Sequence, residues 1–431
     1  MDVLVSSGCS CKLFLSLYQA PQGCYMTIFS VFFVVFVILL AGRFSWRKKL
    51  SGIDIYLLLY IYFFAGPFAA QLLGYHVYIG IRFDYLHKAL LVLSVAVFAM
   101  MLGSWLPTRS ERVPDFYSAA GGKKNIFLVL PVFGIVLVVF ALVWLYYIGI
   151  VQSGMNKTEK ILAVGIYHYA VATLVPAALI AYMALTVEVR RNYLVFTICL
   201  VLYCFYSLLM GERDFLLLAL PIYFWLIRDV FTGLRYPLIL FVCFVFLFVL
   251  MSGGRSDVFN QGFVSSLLNQ GSNLMVMTNV LQYFEEGGEL IWGGSYVSAI
   301  LNLLTAGFVK ITESRSVWFS NYVSNGAGAY GFSLEAEAYL NFGIMGVLVV
   351  FLLYGYYYAW IEHFAVRRSH LGYLLYYHFL FFGIYAIRGE SLVVLKSLAY
   401  CLFFYIFASV ISSGGRVRLT SRKGEVKATN V

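Results

Sequence analysis

Four arginines beside strongly apolar stretches are the first residues that could do chemistry. They are Arg213, Arg255, Arg315 and Arg388. A guanidinium group is planar and always charged, and it forms strong paired hydrogen bonds with phosphate oxygens. An ionisable side chain at membrane depth is costly and therefore indicates function. We predict that these arginines bind a phosphorylated substrate at the level of the lipid headgroups.

Local ion pairing is the alternative for two of these arginines. Arg213 lies between Glu212 and Asp214, and Arg388 lies two residues before Glu390. Either arginine could neutralise a neighbouring carboxylate without touching a substrate. The sequence leaves both interpretations open.

Two acidic residues stand at the start of a long apolar stretch. Glu335 and Glu337 follow Ser333, which is a suitable N-cap, and the helix dipole favours acids in a first turn. The functional alternative is a carboxylate that acts as a general base. Residues two apart lie about 200° apart on a helix, whereas Glu337 and Asn341 share a face. We predict Glu337 to be the inward-facing acid.

Other catalytic arrangements have little support in the sequence. Asp257 is a further possible base, although the sequence around it is not specific for that role. Glu212 and Asp214 flank Arg213 with the minimal spacing of a metal-binding pair of carboxylates. The arginine between the two acids disfavours a cation. The six histidines are scattered and none lies between residues 253 and 333. Neither a metal site nor a Ser/His/Asp hydrolase is predicted.

The elements that must position these residues are membrane-spanning helices. The chain is 62% hydrophobic and only 12% charged, whereas soluble domains have about 25% charged residues. Lipid must therefore be its solvent. Eleven apolar stretches are predicted to span the membrane, near residues 26–42, 53–73, 86–106, 126–150, 169–187, 193–210, 214–231, 237–252, 334–360, 371–387 and 391–412.

The net charge of +10 is a topology signal. Nineteen of the 30 Lys and Arg residues lie in six alternate connections, counting the C-terminal tail. Cationic loops stay in the cytoplasm, so the N-terminus is predicted outside and the C-terminus inside. This placement argues against nucleic acid as a partner. Met26 directly precedes the first predicted span, and we expect the true chain to start there.

The spans divide the chain into four parts. These are eight spans in 1–252, a large outer loop in 253–333, three spans in 334–412 and a basic tail in 413–431. The loop is too apolar to be disordered. Amphipathic or re-entrant helices on the membrane surface are predicted within it at 263–268, 274–284 and 297–308.

Three short motifs give a family resemblance. GERDF at 211–215 lies between two spans, GGRSD at 253–257 opens the large loop, and EAYLNFGIMG at 337–346 closes it. Their order and topology resemble the O-antigen and oligosaccharide repeat-unit polymerases of the Wzy type. The resemblance covers about residues 205–360, and outside that segment the match is in hydropathy alone.

The resemblance implies an all-α, GT-C-like glycosyltransferase of lipopolysaccharide biosynthesis in the bacterial inner membrane. Its substrates would be undecaprenyl-diphosphate-linked oligosaccharide repeat units at the periplasmic face, within the membrane lipids. The growing chain would be transferred onto a new unit. Because the leaving group is already a diphosphate, no cofactor is implied. A separate chain-length regulator is the expected protein partner.

The resemblance also implies roles for individual residues. The four arginines would bind phosphate, and Glu337 would act as the general base. Glu335 and Asp257 are further acidic candidates for the base. Tyr339 and Asn341 of the third motif would position the substrate.

Two other functions stay open at this stage. An O-antigen ligase is expected to use a histidine in the large loop, and this chain has none there. Other lipid-linked sugar transferases remain possible. A flippase or transporter would place charges at mid-membrane, and Lys396 in the last predicted span suits that function best. The charges at the outer edge and the odd number of spans favour the polymerase.

Overall fold

The computed structural model describes most of the helical part of the chain. The described residues are 49–72, 81–106, 126–149, 155, 157–187, 192–212, 214–230, 232–233, 235, 239, 242, 268, 272–305, 312–325, 331–367 and 369–412. Nearly all of them are helical, as the composition predicts.

Thirteen α-helices are found in this part of the chain. They are α1 (Gly52–Leu72), α2 (Leu86–Trp105), α3 (Val129–Tyr147), α4 (Lys157–Val164), α5 (Ile166–Leu185), α6 (Tyr193–Leu209), α7 (Ala219–Ile227), α8 (Ser272–Glu285), α9 (Gly294–Leu304), α10 (Arg315–Ser324), α11 (Leu334–Val366), α12 (His370–His378) and α13 (Ser391–Ser412). Short 3-10 segments lie at Phe83–Tyr85, Ile126–Leu128, Asp214–Leu218 and Ala386–Arg388, and α12 continues as a π-helix over Phe379–Gly383. Strands β1 (Lys49–Leu50) and β2 (Thr232–Gly233) pair antiparallel, with Lys49 opposite Gly233.

Helices lie where nine of the eleven spans are predicted. Within the described residues, six helical segments are long and apolar enough to cross a membrane: Leu86–Trp105, Ile126–Tyr147, Ile166–Leu185, Leu334–Ala365, His370–Arg388 and Ser391–Ser412. The chain is therefore an integral membrane protein with several spans. The predicted span at 26–42 lies outside the described residues, as does nearly all of the one at 237–252. The total of eleven stays a prediction.

The exterior of the bundle is apolar, as lipid contact requires. On α3, Val136 and Val143 are 63% and 62% exposed, and on α13 Phe403 is 60% exposed. By contrast, α5 is buried throughout residues 177–185 and packs against α3, α12 and α13. A water-soluble protein rarely exposes such continuous apolar faces.

The most extensive helix pair is formed by α2 and α11, and two glycines allow its close approach. A Cβ atom at Gly103 would overlap the carbonyl oxygen of Leu352, and one at Gly355 would overlap that of Met100. Small residues at such crossings let two membrane helices pack backbone to backbone. This contact holds α11, which carries Glu335 and Glu337.

A sharp break near the start of α11 separates its first eight residues from the rest. Phe342 and Gly343 leave the helical region, and Gly343 has φ 63° and ψ −154°. That conformation is essentially restricted to glycine. A Cβ at Gly346 would also overlap the carbonyl oxygen of Ala338. These two glycines of the third motif therefore set the angle of segment 334–341.

The large loop has three described helices, and one differs from the sequence-based prediction. The prediction placed the helix at 274–284 on the membrane surface, but α8 is buried over residues 273–281 between α1, α2 and α11. The surface position is therefore wrong for this helix. Two of its buried polar side chains bond within the helix, since Thr278 and Asn279 both donate to the carbonyl of Met275, and this makes their burial tolerable.

Helix α9 is amphipathic, as predicted, and its polar face points into the protein. Ser295, Ser298 and Asn302 are buried, while Val297 and Leu304 are 51% and 75% exposed. The third predicted loop helix, 263–268, lies outside the described residues apart from Leu268. Helix α10 was not predicted from the sequence.

Candidate functional site

A cavity of about 280 Å³ lies at the N-terminal ends of α11 and α13. Two parts of the large loop, two spans and the turn before α13 form its walls. The lining residues are Ser295, Ser298, Ala299, Asn302, Thr312, Glu313, Ser314, Arg315, Val317, Glu337, Glu390, Leu392 and Lys396. The inward polar face of α9 therefore supplies one wall, and charged residues supply the others.

Glu337 is buried in this wall and its carboxylate is extensively hydrogen-bonded. It accepts from the Ser295 hydroxyl at 2.7 Å, and from the backbone and hydroxyl of Ser391 at 2.7 and 2.8 Å. The Asn341 amide donates to Ser295 Oγ and to the Glu337 carbonyl, each at 2.7 Å. The predicted shared face of Glu337 and Asn341 is confirmed. Because α13 begins at Ser391, the helix dipole also stabilises this carboxylate.

Glu390 is the second carboxylate of the cavity. Its Oε2 accepts the backbone N–H of Arg315 at 2.5 Å, which satisfies one donor at the start of α10. Burial raises the pKa of Glu390 to about 7, although the Arg315 hydrogen bond and the nearby Arg315 and Lys396 charges oppose that rise. The neighbouring Glu337 acts in the same direction as burial.

Arg315 is only 5% exposed and faces the cavity. Its Nη2 donates to the carbonyl of Glu313 at 2.6 Å, and its guanidinium lies 5.9 Å from the centre of the Trp318 ring. Among the described residues nothing accepts from Arg315 Nε, and nothing donates to the buried Asn302 Oδ1. The cavity therefore has unused hydrogen-bonding capacity for a ligand. Burial lowers the pKa of Arg315, and the nearby carboxylates oppose this.

Lys396 completes a set of two cations and three carboxylates around one cavity, the carboxylates being those of Glu313, Glu337 and Glu390. It lies on α13, beside Leu392 of the same wall, and its charge acts on Glu390. A lysine within an apolar span is by itself a functional signal. Charged groups inside a cavity with low-dielectric walls interact strongly with an ionic ligand. The arrangement can bind an anion and accept a proton in the same space.

The family model for the O-antigen polysaccharide polymerase Wzy matches residues 8–413, nearly the whole chain. The chain belongs to this family. The three motifs at 211–215, 253–257 and 337–346 are thus parts of a family match that extends well beyond them. No curated protein and no solved structure matches the chain.

Not every residue implicated by the Wzy resemblance lies at the cavity. Glu335, the other acid of the third motif, is fully buried and accepts from the Asn273 amide at 2.9 Å. The same amide donates to the carbonyl of Ile387 at 2.7 Å. Glu335 and Asn273 therefore connect α11, α8 and the turn before α13. Glu335 and Glu337 face different partners, as their spacing predicts.

Three other predicted residues are also placed away from the cavity lining. Tyr339 packs edge-on against Phe284, with 5.6 Å between ring centres. The Arg388 guanidinium lies 5.7 Å from the centre of the Phe63 ring. Ser333 has the extended backbone of an N-cap, but its hydroxyl makes no capping hydrogen bond.

The remaining predicted residues lie outside the described part of the chain. These are Arg213, Arg255 and Asp257. Glu212, which precedes Arg213, has a carboxylate oxygen 3.5 Å from Nε2 of His168. Within the described residues, no group of three or more His, Cys, Asp or Glu side chains could hold a metal ion.

Sequence reasoning did not assign Glu390, Lys396, Ser295 or Ser391 to the site. Lys396 had a usable signal, because a charge within an apolar span is uncommon. Glu390 was considered only as a partner for Arg388. The two serines carried no signal, since serine is frequent in loops and at helix ends.

Proposed function

We propose that the protein polymerises lipid-linked oligosaccharide repeat units at the periplasmic face of the bacterial inner membrane. The growing chain moves from its undecaprenyl diphosphate onto a hydroxyl group of a new repeat unit. The observation that carries this proposal is the cavity at the ends of α11 and α13. There, in a chain of the Wzy family, two cations and three carboxylates meet beside membrane-spanning helices.

Arg315 and Lys396 are the proposed binding groups for the diphosphate. Their charges stabilise the negative charge that develops on the departing phosphate. Arg315 suits this role because it is held by Glu313 and Trp318 while its Nε remains available. A donor that is already in place costs little reorganisation during the reaction. Arg213, Arg255 and Arg388, predicted for the same role, stay predictions.

A carboxylate of the cavity is the proposed proton acceptor. Attack by the hydroxyl oxygen on the anomeric carbon releases a proton, and a general base typically contributes about 10²–10⁴-fold to such a step. The sequence predicts Glu337 for this role, and Glu390 is the second carboxylate within the cavity. Asn341 supports the wall through Ser295 and the Glu337 carbonyl.

The orientation of the chain follows from its cationic connections. Six basic alternate connections place the opposite end of the helices, with the large loop and the cavity, at the periplasmic side. The eleven spans, the GT-C-like architecture, the periplasmic N-terminus, the cytoplasmic C-terminus and the chain-length regulator belong to the same proposal. A diphosphate leaving group makes a nucleotide unnecessary.

Deletion of the gene in its native strain tests the function. Surface lipopolysaccharide, resolved by gel, should collapse from a ladder to core plus one repeat, and a plasmid copy should restore the ladder. Loss of even the single repeat would indicate flipping or ligation. An unchanged ladder would exclude the gene from O-antigen assembly.

A further inference from the structure

We propose that Glu390 takes the proton from the attacking hydroxyl group, and that Glu337 is a positioning residue that holds the turn carrying Glu390. This assignment rests on the proposed polymerase function and names the catalytic base within it. Three carboxylates line the cavity, but Glu313 is exposed, so the surroundings of the two buried ones, Glu337 and Glu390, decide between them.

Glu337 is less suited than Glu390 to accept a proton because it already accepts three hydrogen bonds. Oε1 accepts from the hydroxyls of Ser295 and Ser391, and Oε2 accepts the backbone N–H of Ser391. These donors stabilise the ionised carboxylate. The bonds to Ser391 also fix the residue that follows Glu390, so Glu337 positions its neighbour.

The Glu390 carboxylate accepts fewer hydrogen bonds than the Glu337 carboxylate. Its carboxylate accepts the backbone N–H of Arg315 on Oε2, and no other described residue donates to it. Because Glu390 lines the cavity, its second oxygen is available to a ligand there. Burial raises the pKa of Glu390 to about 7. A base is most effective when its pKa lies near the working pH.

The charges that face Glu390 connect proton transfer to substrate binding. Arg315 faces it from α10, Glu337 from α11 and Lys396 from α13, while Glu313 lines the same cavity. In the empty site the two cations favour the ionised form of Glu390. A bound diphosphate would partly neutralise those cations. It would thereby increase the affinity of Glu390 for a proton when the donor substrate is in place.

The reaction step balances without a further reactant. The hydroxyl oxygen of the new unit forms a bond to the anomeric carbon of the growing chain. The bond between that carbon and the diphosphate oxygen breaks, and its electron pair leaves with the lipid diphosphate beside Arg315 and Lys396. The hydroxyl proton moves to Glu390, which later returns it to solvent.

The test uses the purified full-length protein in proteoliposomes. Lipid-linked repeat units isolated from the gene-deleted strain are the substrate, and chain extension is measured from about pH 5.5 to 9 for the wild type and for variants. The variants are Glu390→Gln, Glu390→Asp and Glu337→Gln. Glu289→Gln is the matched control, because Glu289 is an exposed glutamate of the large loop outside the cavity lining.

The expected result is a difference between the two glutamates. Because the base must be ionised, wild-type kcat/KM should rise with pH through about 7 and level off, and kcat should rise at a higher pH because bound diphosphate raises the pKa of Glu390. Glu390→Gln should lower kcat about 10²–10⁴-fold with little change in KM and should abolish the pH dependence. Glu337→Gln should lower kcat less and keep the inflection, as should Glu390→Asp. Glu289→Gln should behave as the wild type.

Several results would overturn the assignment. These are a Glu390→Gln variant that keeps its rate and inflection, a wild type without an inflection, or a Glu337→Gln variant that alone loses it. The glutamine oxygen can still accept the Arg315 N–H, and thermal unfolding of each variant reports on folding. If the wild type polymerises and Glu390 proves dispensable, only the assignment fails. If the wild type makes no polymer, the proposed function fails with it.

Discussion

Glu335 and Glu337 are two residues apart on one helix, and their surroundings differ completely. Glu335 faces α8, where the Asn273 amide holds it and connects it to the carbonyl of Ile387. Glu337 faces α9, whose polar side chains leave the cavity open beside it. Glu335 connects three structural elements, whereas Glu337 lines a cavity that also contains charged and hydrogen-bonding side chains.

The difference shows how neighbouring elements determine the use of a charged residue. Helix α8 presents a continuous buried surface to α11 and closes the side of Glu335. Helix α9 turns Ser295, Ser298 and Asn302 inward instead. A buried carboxylate needs hydrogen-bond donors whether it faces α8 or α9. Of the two sides, only the cavity beside α9 also contains Arg315 and Lys396.

Among substitutions that compare the two sides of α11, the largest expected effect comes from removing a cation of the cavity. Arg315→Ala should lower the rate of chain extension about 10²–10³-fold, because one preorganised donor to the diphosphate is lost. Arg315→Lys should recover part of the rate. The assay in proteoliposomes measures both. Arg82→Ala is the control, since Arg82 is an exposed arginine outside the cavity lining. Equal losses for Arg315 and Arg82 would contradict the proposed site.

The break in α11 offers a second way to disturb the cavity, by moving the segment that carries both Glu335 and Glu337. Gly343→Ala places a side chain at φ 63° and ψ −154°, which should cost about 1–3 kcal/mol in the free energy of unfolding. Because segment 334–341 should shift, chain extension should fall as well. Thermal unfolding and the rate are measured on the same preparation. Gly233→Ala is the control, as a Cβ there meets no atom within 4 Å. Unchanged stability of Gly343→Ala would exclude a role for the break.

Substitution of Glu335 should lower the free energy of unfolding but change the rate of chain extension little. Glu335→Ala leaves the buried Asn273 amide without one acceptor, which should cost about 1–3 kcal/mol in unfolding free energy. The rate per folded molecule should change only a few-fold. A double-mutant cycle with Asn273→Ala, followed by thermal unfolding, should show that the two losses are not additive. A hundredfold loss of rate in the folded variant would show that the two sides are not functionally distinct.

The smallest effect is expected at Tyr339. Tyr339→Leu removes the edge-on contact with Phe284 and should cost about 0.5–1.5 kcal/mol in unfolding free energy. KM for the lipid-linked unit should stay unchanged, because Tyr339 does not line the cavity. A large increase in KM would instead favour the substrate-positioning role that the family resemblance implies.

Much of the helical layout could be predicted from the sequence. An apolar run long enough to cross a bilayer must satisfy its backbone within itself, so its position can be read directly. The helices α2 (Leu86–Trp105) and α13 (Ser391–Ser412) match predicted spans within a residue or two. The common face of Glu337 and Asn341 follows in the same way from helical periodicity.

Only the tertiary structure decided which charged residues share a cavity. Arg315 and Glu390 are 75 positions apart and meet through a backbone hydrogen bond. Glu390 lies two residues from Arg388, yet Glu390 lines the cavity while Arg388 lies over Phe63. Hydropathy and periodicity describe each segment alone. The partner that each face meets depends on long-range packing between helices, which local sequence patterns do not specify.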